Sequence, residues 1–229
     1  MSSQPPSSQP SSSPDDSSHP ARRVLVLFAH PALEKSRVNR RLLSAVRDLR
    51  GVTVHDLYEA YPFFDIHVER EQELLAAHDV VVLQHPFFWY STPALVKEWL
   101  DLVLEHGWAY GSEGTALRGK LLLSAISTGG REDAYCAEGV NRFTIRQLLA
   151  PIEQTARLCG MDYLPPFVVH GALGMISETL ERHAHDYRRL LEDLRDGRCH
   201  LDAARDWPRL NADLERLRTG ARTGGDDAR

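Results

Sequence analysis

Short continuous apolar runs alternate with amphipathic segments along most of the chain. The apolar runs predict five β-strands, at residues 24–29, 52–57, 80–83, 120–127 and 167–170. Between the strands, apolar residues recur at a spacing of three or four, as in Val38, Leu42, Val46 and Leu49. That spacing predicts amphipathic helices. A strand that is apolar throughout is buried on both faces, so the alternation predicts a parallel sheet covered by helices on either side.

Five strands in this arrangement fit the α/β class, as a flavodoxin-like three-layer sandwich whose five-stranded parallel sheet has the order 2-1-3-4-5. We expect this domain to span residues 22–199. Residues 1–21 are rich in Ser and Pro without an apolar run, which is typical of a disordered tail. Residues 200–229 are polar and predict a frayed C-terminal extension.

Composition and charge predict the cellular compartment, the state of the cysteines and the class of partner. No secretory signal and no apolar stretch of about 18 residues occurs, which predicts a cytoplasmic protein. Its three cysteines show no CxxC spacing, so we expect free thiols. The formal net charge is −5, of which Asp15 and Asp16 in the tail supply two units. The body is therefore nearly neutral with dispersed basic residues, which argues against a nucleic-acid partner.

Ligands of open α/β sheets bind beyond the carboxyl ends of the strands, close to the point where the strand order reverses. Here those are the loops after the first, third and fourth strands. The first loop, HPALEKSRVN (30–39), has no GxGxxG motif. Ser36 is placed to cap a helix that starts at Arg37, and the exposed N–H groups of such a helix start accommodate a phosphate. An ordinary N-cap explains Ser36 equally well, and His30 could be a strand-end residue with satisfied hydrogen bonds.

The second loop, within QHPFFWYSTP (84–93), contains four consecutive aromatic residues. Thr92 and Pro93 predict a helix that begins there, with Thr92 as the N-cap and Pro93 as the first helical residue. The rings are thus held between a strand end and a helix start, where they could stack on a planar cofactor. The alternative is that two of the four rings fill the core beneath the loop, with Phe87 or Phe88 among them.

The third loop contains STGG (127–130), whose small residues allow backbone N–H groups to approach a ligand closely. Such donors would stabilise negative charge on a reduced planar cofactor. The eleven histidines show no HExxH or similar ligand spacing, so we predict no metal site.

Together these motifs resemble the flavodoxin-like NAD(P)H:quinone oxidoreductases, and especially the ancillary flavoproteins of glutathione-gated potassium-efflux systems. The similarity covers residues 23–198 and includes YPFFDI (61–66), HGWAYG (106–111) and YLPPF (163–167). The resemblance implies a homodimeric enzyme with FMN, or alternatively FAD, that takes hydride from NADH or NADPH and reduces a quinone by two electrons.

The resemblance also assigns roles to individual residues. The expected phosphate and ribityl contacts are His30, Ser36, Arg37, Val38 and Asn39. The expected isoalloxazine contacts are Phe87, Phe88, Trp89 and Tyr90, with Ser127, Thr128, Gly129 and Gly130 at its polar edge. Tyr135 matches a catalytic Tyr of the quinone-reductase branch, whereas Asn141 stands where a His would follow it.

Two other functions compete with the enzyme. The chain could act mainly as a regulatory subunit that activates a potassium-efflux transporter, which would bring it to the inner face of the membrane. It could also be a one-electron carrier of the flavodoxin type, although its near-neutral body and long helical insertions disfavour that function.

Overall fold

A parallel β-sheet forms the centre of the computed structural model, which describes residues 21–220. Within this range the sheet has six strands: β1 Val24–Phe28, β2 Val52–Asp56, β3 Val80–Pro86, β4 Leu121–Ser127, β5 Asp162–Tyr163 and β6 Phe167–Val169. The order is β2-β1-β3-β4, with β5 and β6 both paired to β4 along one edge. The predicted 2-1-3-4-5 order is confirmed, but two segments share the fifth position.

Proline accounts for the divided fifth strand. Pro165 and Pro166 separate β5 from β6, and neither has an N–H group to donate to the sheet. Pairing with β4 resumes at Phe167, which lies opposite Ala125. Val169 then lies opposite Ser127, so the carboxyl ends of β4 and β6 reach the same level of the sheet.

Helices cover both faces of the sheet. They are α1 Arg37–Val46, α2 Leu57–Ala60, α3 Val68–Ala76, α4 Ala94–Val103, α5 Ile145–Leu148, α6 Ala150–Leu158, α7 Ser177–Arg195 and α8 Leu214–Thr219. The sequence pattern did not predict α2 and α3. It also predicted one helix across residues 145–156, which the structure divides at Leu149, just before Pro151 in the first turn of α6.

Alternating strand residues build two separate cores. Val24, Val26 and Phe28 of β1 pack with α1 and α7 on one face, whereas Leu25 and Leu27 pack with α3, α4 and α6 on the other. Both faces of the central strands are therefore apolar, as the continuous hydrophobic runs predicted. This is the expected three-layer sandwich.

The start of α4 corrects one prediction. The first helical residue is Ala94, and Pro93 rather than Thr92 holds the N-cap position, because its ψ of 150° is extended. The start of α1 is as predicted: Ser36 is the N-cap, and its hydroxyl accepts a hydrogen bond from the Asn39 N–H at 3.2 Å.

The C-terminal segment is folded as far as the structure describes it. Short helical turns at Leu201–Ala204 and Leu210–Ala212 precede α8, and their Ala204 and Leu210 are buried in the core beside α7. The expectation of a frayed extension is therefore wrong for residues 200–220, because its few apolar residues cover the α7 side of the domain. The predicted disordered tail, apart from Ala21, and residues 221–229 lie outside the described residues.

Candidate functional site

The loops after β1, β3 and β4 meet at the carboxyl edge of the sheet. Asn39 Nδ2, from the start of α1, donates to Ser127 Oγ at the end of β4 at 2.8 Å. The Phe87 N–H after β3 donates to the Ser127 carbonyl oxygen at 2.8 Å. The ring centroids of His30 and Phe88 lie 5.9 Å apart in an edge-on arrangement. The three predicted segments therefore form one connected surface.

The first loop ends in a helix start whose first N–H groups have no intrahelical acceptor. The hydroxyl of Ser36 satisfies the N–H of Asn39, whereas the N–H groups of Arg37 and Val38 lie in the first turn, where no intrahelical acceptor exists. The Val38 side chain is buried in the core, so only its backbone can face a ligand. The Arg37 guanidinium donates to the Met175 carbonyl oxygen at 3.2 Å, which directs this side chain toward the start of α7.

His30 is a buried, neutral group at the end of β1. Its Nδ1 accepts a hydrogen bond from the Ala32 N–H at 3.1 Å, so the ring proton resides on Nε2. Burial lowers the pKa of His30, and the nearby Glu34 carboxylate only partly opposes that effect. The alternative that His30 is a strand-end residue with satisfied hydrogen bonds is therefore correct for Nδ1. The Nε2–H group can still donate a hydrogen bond to a ligand.

Asn39 contributes an unusual buried acceptor. Its Nδ2 donates to Ser127 Oγ and, at 3.3 Å, to Ser36 Oγ. Its Oδ1 is buried and has no hydrogen-bond partner among the described residues. An unpaired buried amide oxygen is costly unless a ligand donates to it. Asn39 is thus suited to accept a hydrogen bond from a hydroxyl group.

The aromatic loop divides into a buried and an exposed part. Phe87 is 7% exposed and packs against Ile126, Ile145, Leu149 and Val168, so its side chain fills the core below the loop. The alternative that two of the four rings fill the core is therefore correct for Phe87 alone. Trp89 is 92% exposed, and Phe88 and Tyr90 are each close to half exposed. These three rings are available for stacking.

The backbone at Trp89 and Tyr90 is in a rare conformation. Their φ angles are 48° and 62°, in the left-handed region that residues with a Cβ seldom occupy. Consecutive strained residues of this kind persist where the surroundings hold them, often in ligand sites. Tyr90 is held in part by its hydroxyl, which donates to Asn141 Oδ1 at 3.1 Å.

The Thr128 groups of the STGG turn form hydrogen bonds within the protein, whereas the N–H groups of its two glycines do not. The Thr128 N–H donates to the Val169 carbonyl oxygen, and the Thr128 hydroxyl donates to the Gly130 carbonyl oxygen at 2.8 Å. The N–H groups of Gly129 and Gly130 donate to none of the residues 21–220. A Cβ on Gly130 would lie 3.2 Å from the Tyr135 ring, so a larger residue there would require this ring to shift by a few tenths of an ångström.

Tyr135 has a neighbour that sequence reasoning missed. The ring of His170, directly after β6, lies 5.5 Å from the Tyr135 ring. Thirty-five residues separate the two in sequence, and only the alignment of β6 with β4 brings them together. Asn141, at the spacing where a His was expected, binds Tyr90 instead.

These features fit a flavin phosphate. The free N–H groups of α1 suit a phosphate, Asn39 Oδ1 suits a ribityl hydroxyl, and the exposed rings suit a planar ring system. The N–H groups of Gly129 and Gly130 suit the polar edge of such a ring. No group of three or more His, Cys, Asp or Glu side chains in residues 21–220 is arranged to hold a metal ion.

A cavity of about 750 Å³ lies elsewhere, at the amino-terminal edge of the sheet. It is lined by residues that precede the strands, such as Asp79 and Gly119, and by the segment around His200. None of the predicted site residues lines it. Because ligands of this fold class bind at the opposite edge, we place the candidate site at the three loops rather than in this cavity.

Comparison with known proteins identifies the family of this chain. The family model for the flavodoxin-like fold matches residues 22–191. The chain belongs to this family. The segment from residue 192 onward, including the described C-terminal turns, lies outside the match.

The similar proteins include an ancillary protein of a transport system, a protein solved with FMN and a quinone reductase. A glutathione-regulated potassium-efflux system ancillary protein, KefG of Serratia proteamaculans, is 49% identical over 165 residues, which cover 72% of this chain and 90% of KefG. General stress protein 14 of Treponema denticola, solved in complex with FMN, is 40% identical with a TM-score of 0.72, over 75% of this chain and 99% of that one. An NADPH-quinone reductase from P. pentosaceus is 35% identical with a TM-score of 0.68, over 74% and 97% of the two chains.

Proposed function

We propose that this flavodoxin-like protein is an FMN-dependent NAD(P)H:quinone oxidoreductase. One observation carries the proposal most directly: the carboxyl-edge loops join a helix start, a buried acceptor and three exposed rings. The first N–H groups of the helix and the acceptor have no partners within residues 21–220. The similar chain solved with FMN and the similar NADPH-quinone reductase support the same activity.

FMN bound at this site would supply the chemistry for hydride transfer from a nicotinamide and for two-electron reduction of a quinone. The residues of this chain bind and orient it. The start of α1 and Ser36 hold the phosphate, and Asn39 accepts from the ribityl chain. Phe88, Trp89 and Tyr90 contact the ring faces, and the free N–H groups of Gly129 and Gly130 stabilise negative charge at its polar edge.

Tyr135 contributes at the margin of this site. Its ring approaches Gly130 and His170, which supports a position beside the polar edge that we assign to the flavin. We propose for Tyr135 the catalytic role that the family resemblance implies. The first loop has no additional segment that would hold an adenosine half, so we favour FMN over FAD.

A direct assay tests the proposal on the full chain. We expect the purified protein, or protein reconstituted with FMN, to show a flavin absorption spectrum and to oxidise NADH or NADPH when a soluble quinone is added. A chain that stays colourless after reconstitution and leaves both nicotinamides unoxidised would reject the enzyme. A stable semiquinone during stepwise reduction would instead favour the one-electron carrier.

We further propose that the enzyme is a cytoplasmic homodimer. No helix within residues 21–220 is both long and apolar enough to cross a lipid bilayer. Exposed apolar side chains, including Leu102 and Leu158, are available for a subunit interface. Sedimentation at micromolar concentration should give about twice the chain mass of 25.8 kDa, and a single species of monomer mass would reject the dimer.

The similarity to KefG favours a second candidate function, regulation of a potassium-efflux transporter. In this case the protein would be recruited to the inner face of the membrane by its partner. Potassium efflux from cells that contain the transporter would be compared with and without this chain. Equal efflux rates would reject the regulatory function, whereas an effect that persists in a chain unable to oxidise NAD(P)H would make catalysis secondary.

A further inference from the structure

His170 lies directly behind the STGG turn, and the function described above does not use it. Its Nδ1 is 3.1 Å from the hydroxyl oxygen of Thr128, and its ring contacts the ring of Tyr135. Thr128 is completely buried, and its backbone binds Val169 and Ala172 on either side of His170. The imidazole therefore touches both the turn and the loop that carries Tyr135.

The hydrogen bonds determine which nitrogen of His170 carries the proton. Thr128 has one hydroxyl proton, and it donates that proton to the Gly130 carbonyl oxygen at 2.8 Å. The Thr128 oxygen can only accept from His170, so Nδ1 must carry the proton. In the neutral ring Nε2 is then unprotonated. The result is a chain of two donors, from His170 to Thr128 and from Thr128 to Gly130.

This chain restrains the peptide groups that face the proposed flavin. The Gly130 carbonyl oxygen also accepts from the Gly171 N–H at 2.9 Å, so two donors hold it. The Thr128 carbonyl oxygen accepts from the Ala172 N–H at 2.9 Å, which fixes the peptide group that carries the Gly129 N–H. These two anchored peptide groups flank the Gly129–Gly130 peptide, and the N–H groups of Gly129 and Gly130 have no partners among the described residues. Preorganised donors of this kind stabilise charge without reorganisation during the reaction.

The imidazole stays neutral under ordinary conditions. Burial lowers the pKa of His170 to about 4, with smaller effects from Glu132, which raises it, and from Arg209 and His183, which lower it. The cavity of about 250 Å³ beside the ring is lined by further charged or titratable groups: Glu132, Tyr135, Arg146, Asp206 and Arg209.

We propose that His170 is a positioning residue that holds Thr128 and the STGG turn in the flavin-binding conformation through a neutral Nδ1–H group. This inference rests on the proposed flavin function. His170 does not exchange a proton with substrate. Its contribution is to orient the Gly129 and Gly130 N–H donors, which favour the reduced, negatively charged cofactor.

The test compares His170→Ala with His170→Asn, whose side-chain amide can donate to Thr128 in place of Nδ1. We expect His170→Ala to weaken FMN binding about tenfold, as measured by quenching of flavin fluorescence, and His170→Asn to stay within about twofold of the unmodified chain. Reduced FMN should lose about tenfold more affinity than oxidised FMN, which lowers the two-electron midpoint potential by about 30 mV.

Three further measurements make the result specific. Thr128→Val should match His170→Ala, and the double variant should be no worse than either, because both break one chain of bonds. His185→Ala, on the exposed face of α7, is the matched control and should change neither quantity. In nitrogen-15 spectra of the unmodified chain at pH 7, His170 should have a protonated Nδ1 and an unprotonated Nε2.

The inference and the proposed function fail in different ways. A folded His170→Ala variant with unchanged FMN affinity and potential would overturn the role of His170 and leave the enzyme intact. Failure of His170→Asn to restore binding, or a proton on Nε2 rather than Nδ1, would also overturn it, even if the Ala variant does not fold. Absence of FMN binding by the unmodified chain would reject the proposed function itself.

Discussion

At the scale of single residues, Asn39 holds the first and third loops together. Its amide donates to Ser127 and Ser36, and its oxygen has no protein partner within the described chain. We expect Asn39→Ala to weaken FMN binding at least tenfold. It should also lower the free energy of unfolding by about 1–3 kcal/mol, because buried partners lose their bonds. Flavin titration and urea unfolding measure the two effects.

A control for Asn39 lies on the same helix. Arg40 is exposed on α1, and Arg40→Ala should change both quantities little. Asn39→Ala could instead be as stable as the unmodified chain, or bind FMN equally well. Either result would show that the buried bonds to Ser127 and Ser36 do not contribute as proposed.

The neighbouring aromatic residues should separate function from stability. Trp89 is almost fully exposed, so Trp89→Ala should change the free energy of unfolding by less than about 0.5 kcal/mol while weakening flavin binding. Phe87 is buried, so Phe87→Ala should cost about 3–5 kcal/mol. Chemical unfolding with flavin titration checks the pair. Equal losses of stability in Trp89→Ala and Phe87→Ala would contradict the burial of Phe87 and the exposure of Trp89.

Some features of single residues could be predicted from the sequence and others could not. Ser36 was identifiable as a cap because capping is a local interaction within three residues. The left-handed backbone at Trp89 and Tyr90 was not, because only tertiary contacts such as the Tyr90–Asn141 bond hold it. His170 was missed for a related reason: its contact with Tyr135 depends on strand alignment, which no short motif reports.

At the scale of elements, a buried carboxylate joins α3 to its surroundings. Glu71 accepts hydrogen bonds from His55 Nε2 and Trp99 Nε1, each at 2.8 Å, and from the Tyr61 hydroxyl. Burial by itself would raise the pKa of Glu71, but the three hydrogen bonds outweigh it and the net pKa is lowered. The group thus ties β2, α4 and the segment after α2 to α3.

The lowered pKa predicts a pH effect on stability. A carboxyl whose pKa is lower in the folded chain adds stability above its unfolded pKa of about 4.3, and this is lost as the pH falls through the folded value. Glu71→Gln should therefore have a lower free energy of unfolding than the unmodified chain at pH 7. Between pH 5 and pH 3 it should lose less stability than the unmodified chain does. Urea unfolding across this pH range measures both effects. Glu73→Gln, exposed on the same helix, should behave as the unmodified chain.

The C-terminal turns act on the edge of the sheet. The side chain of Asn211 accepts from the Val168 N–H at 3.0 Å and donates to the Val168 carbonyl oxygen at 2.9 Å. It thereby occupies the free edge of β6 as another strand would. Arg209 pairs with Glu132 and so also connects this segment to the loop that carries Tyr135.

We expect Asn211→Ala to lower the free energy of unfolding by about 1–3 kcal/mol, because two buried backbone groups lose their partner. Hydrogen exchange should show faster exchange at Val168, the residue directly affected. Asp202→Ala, in an exposed surface pair of the same segment, is the control and should have little effect. Unchanged exchange at Val168 would contradict the edge-covering role of Asn211.

At the scale of the whole molecule, the sequence predicted the sheet order and the three site loops because hydrophobic periodicity and the position of strand ends are encoded locally. It did not predict the folded C-terminal turns. Their sparse apolar residues, Ala204, Leu210 and Leu217, are recognisable only against the core that they cover. The divided edge strand was likewise hidden, although Pro165 and Pro166 were visible, because a proline pair does not reveal that pairing resumes beyond it.

The proposed site spans loops from separate strands, and this arrangement predicts that FMN stabilises the entire domain. The unfolded chain cannot bring Ser36, Trp89 and Gly129 together, so binding favours the folded state. At 100 times its Kd, FMN should add about 2.7 kcal/mol, which raises the Tm by roughly 5–10 °C in a chain of this size. Riboflavin at the same concentration lacks the phosphate for α1 and should give less than half that shift. Equal shifts for FMN and riboflavin in a thermal melt would show that the start of α1 binds no phosphate, while the stacking by the exposed rings would stand.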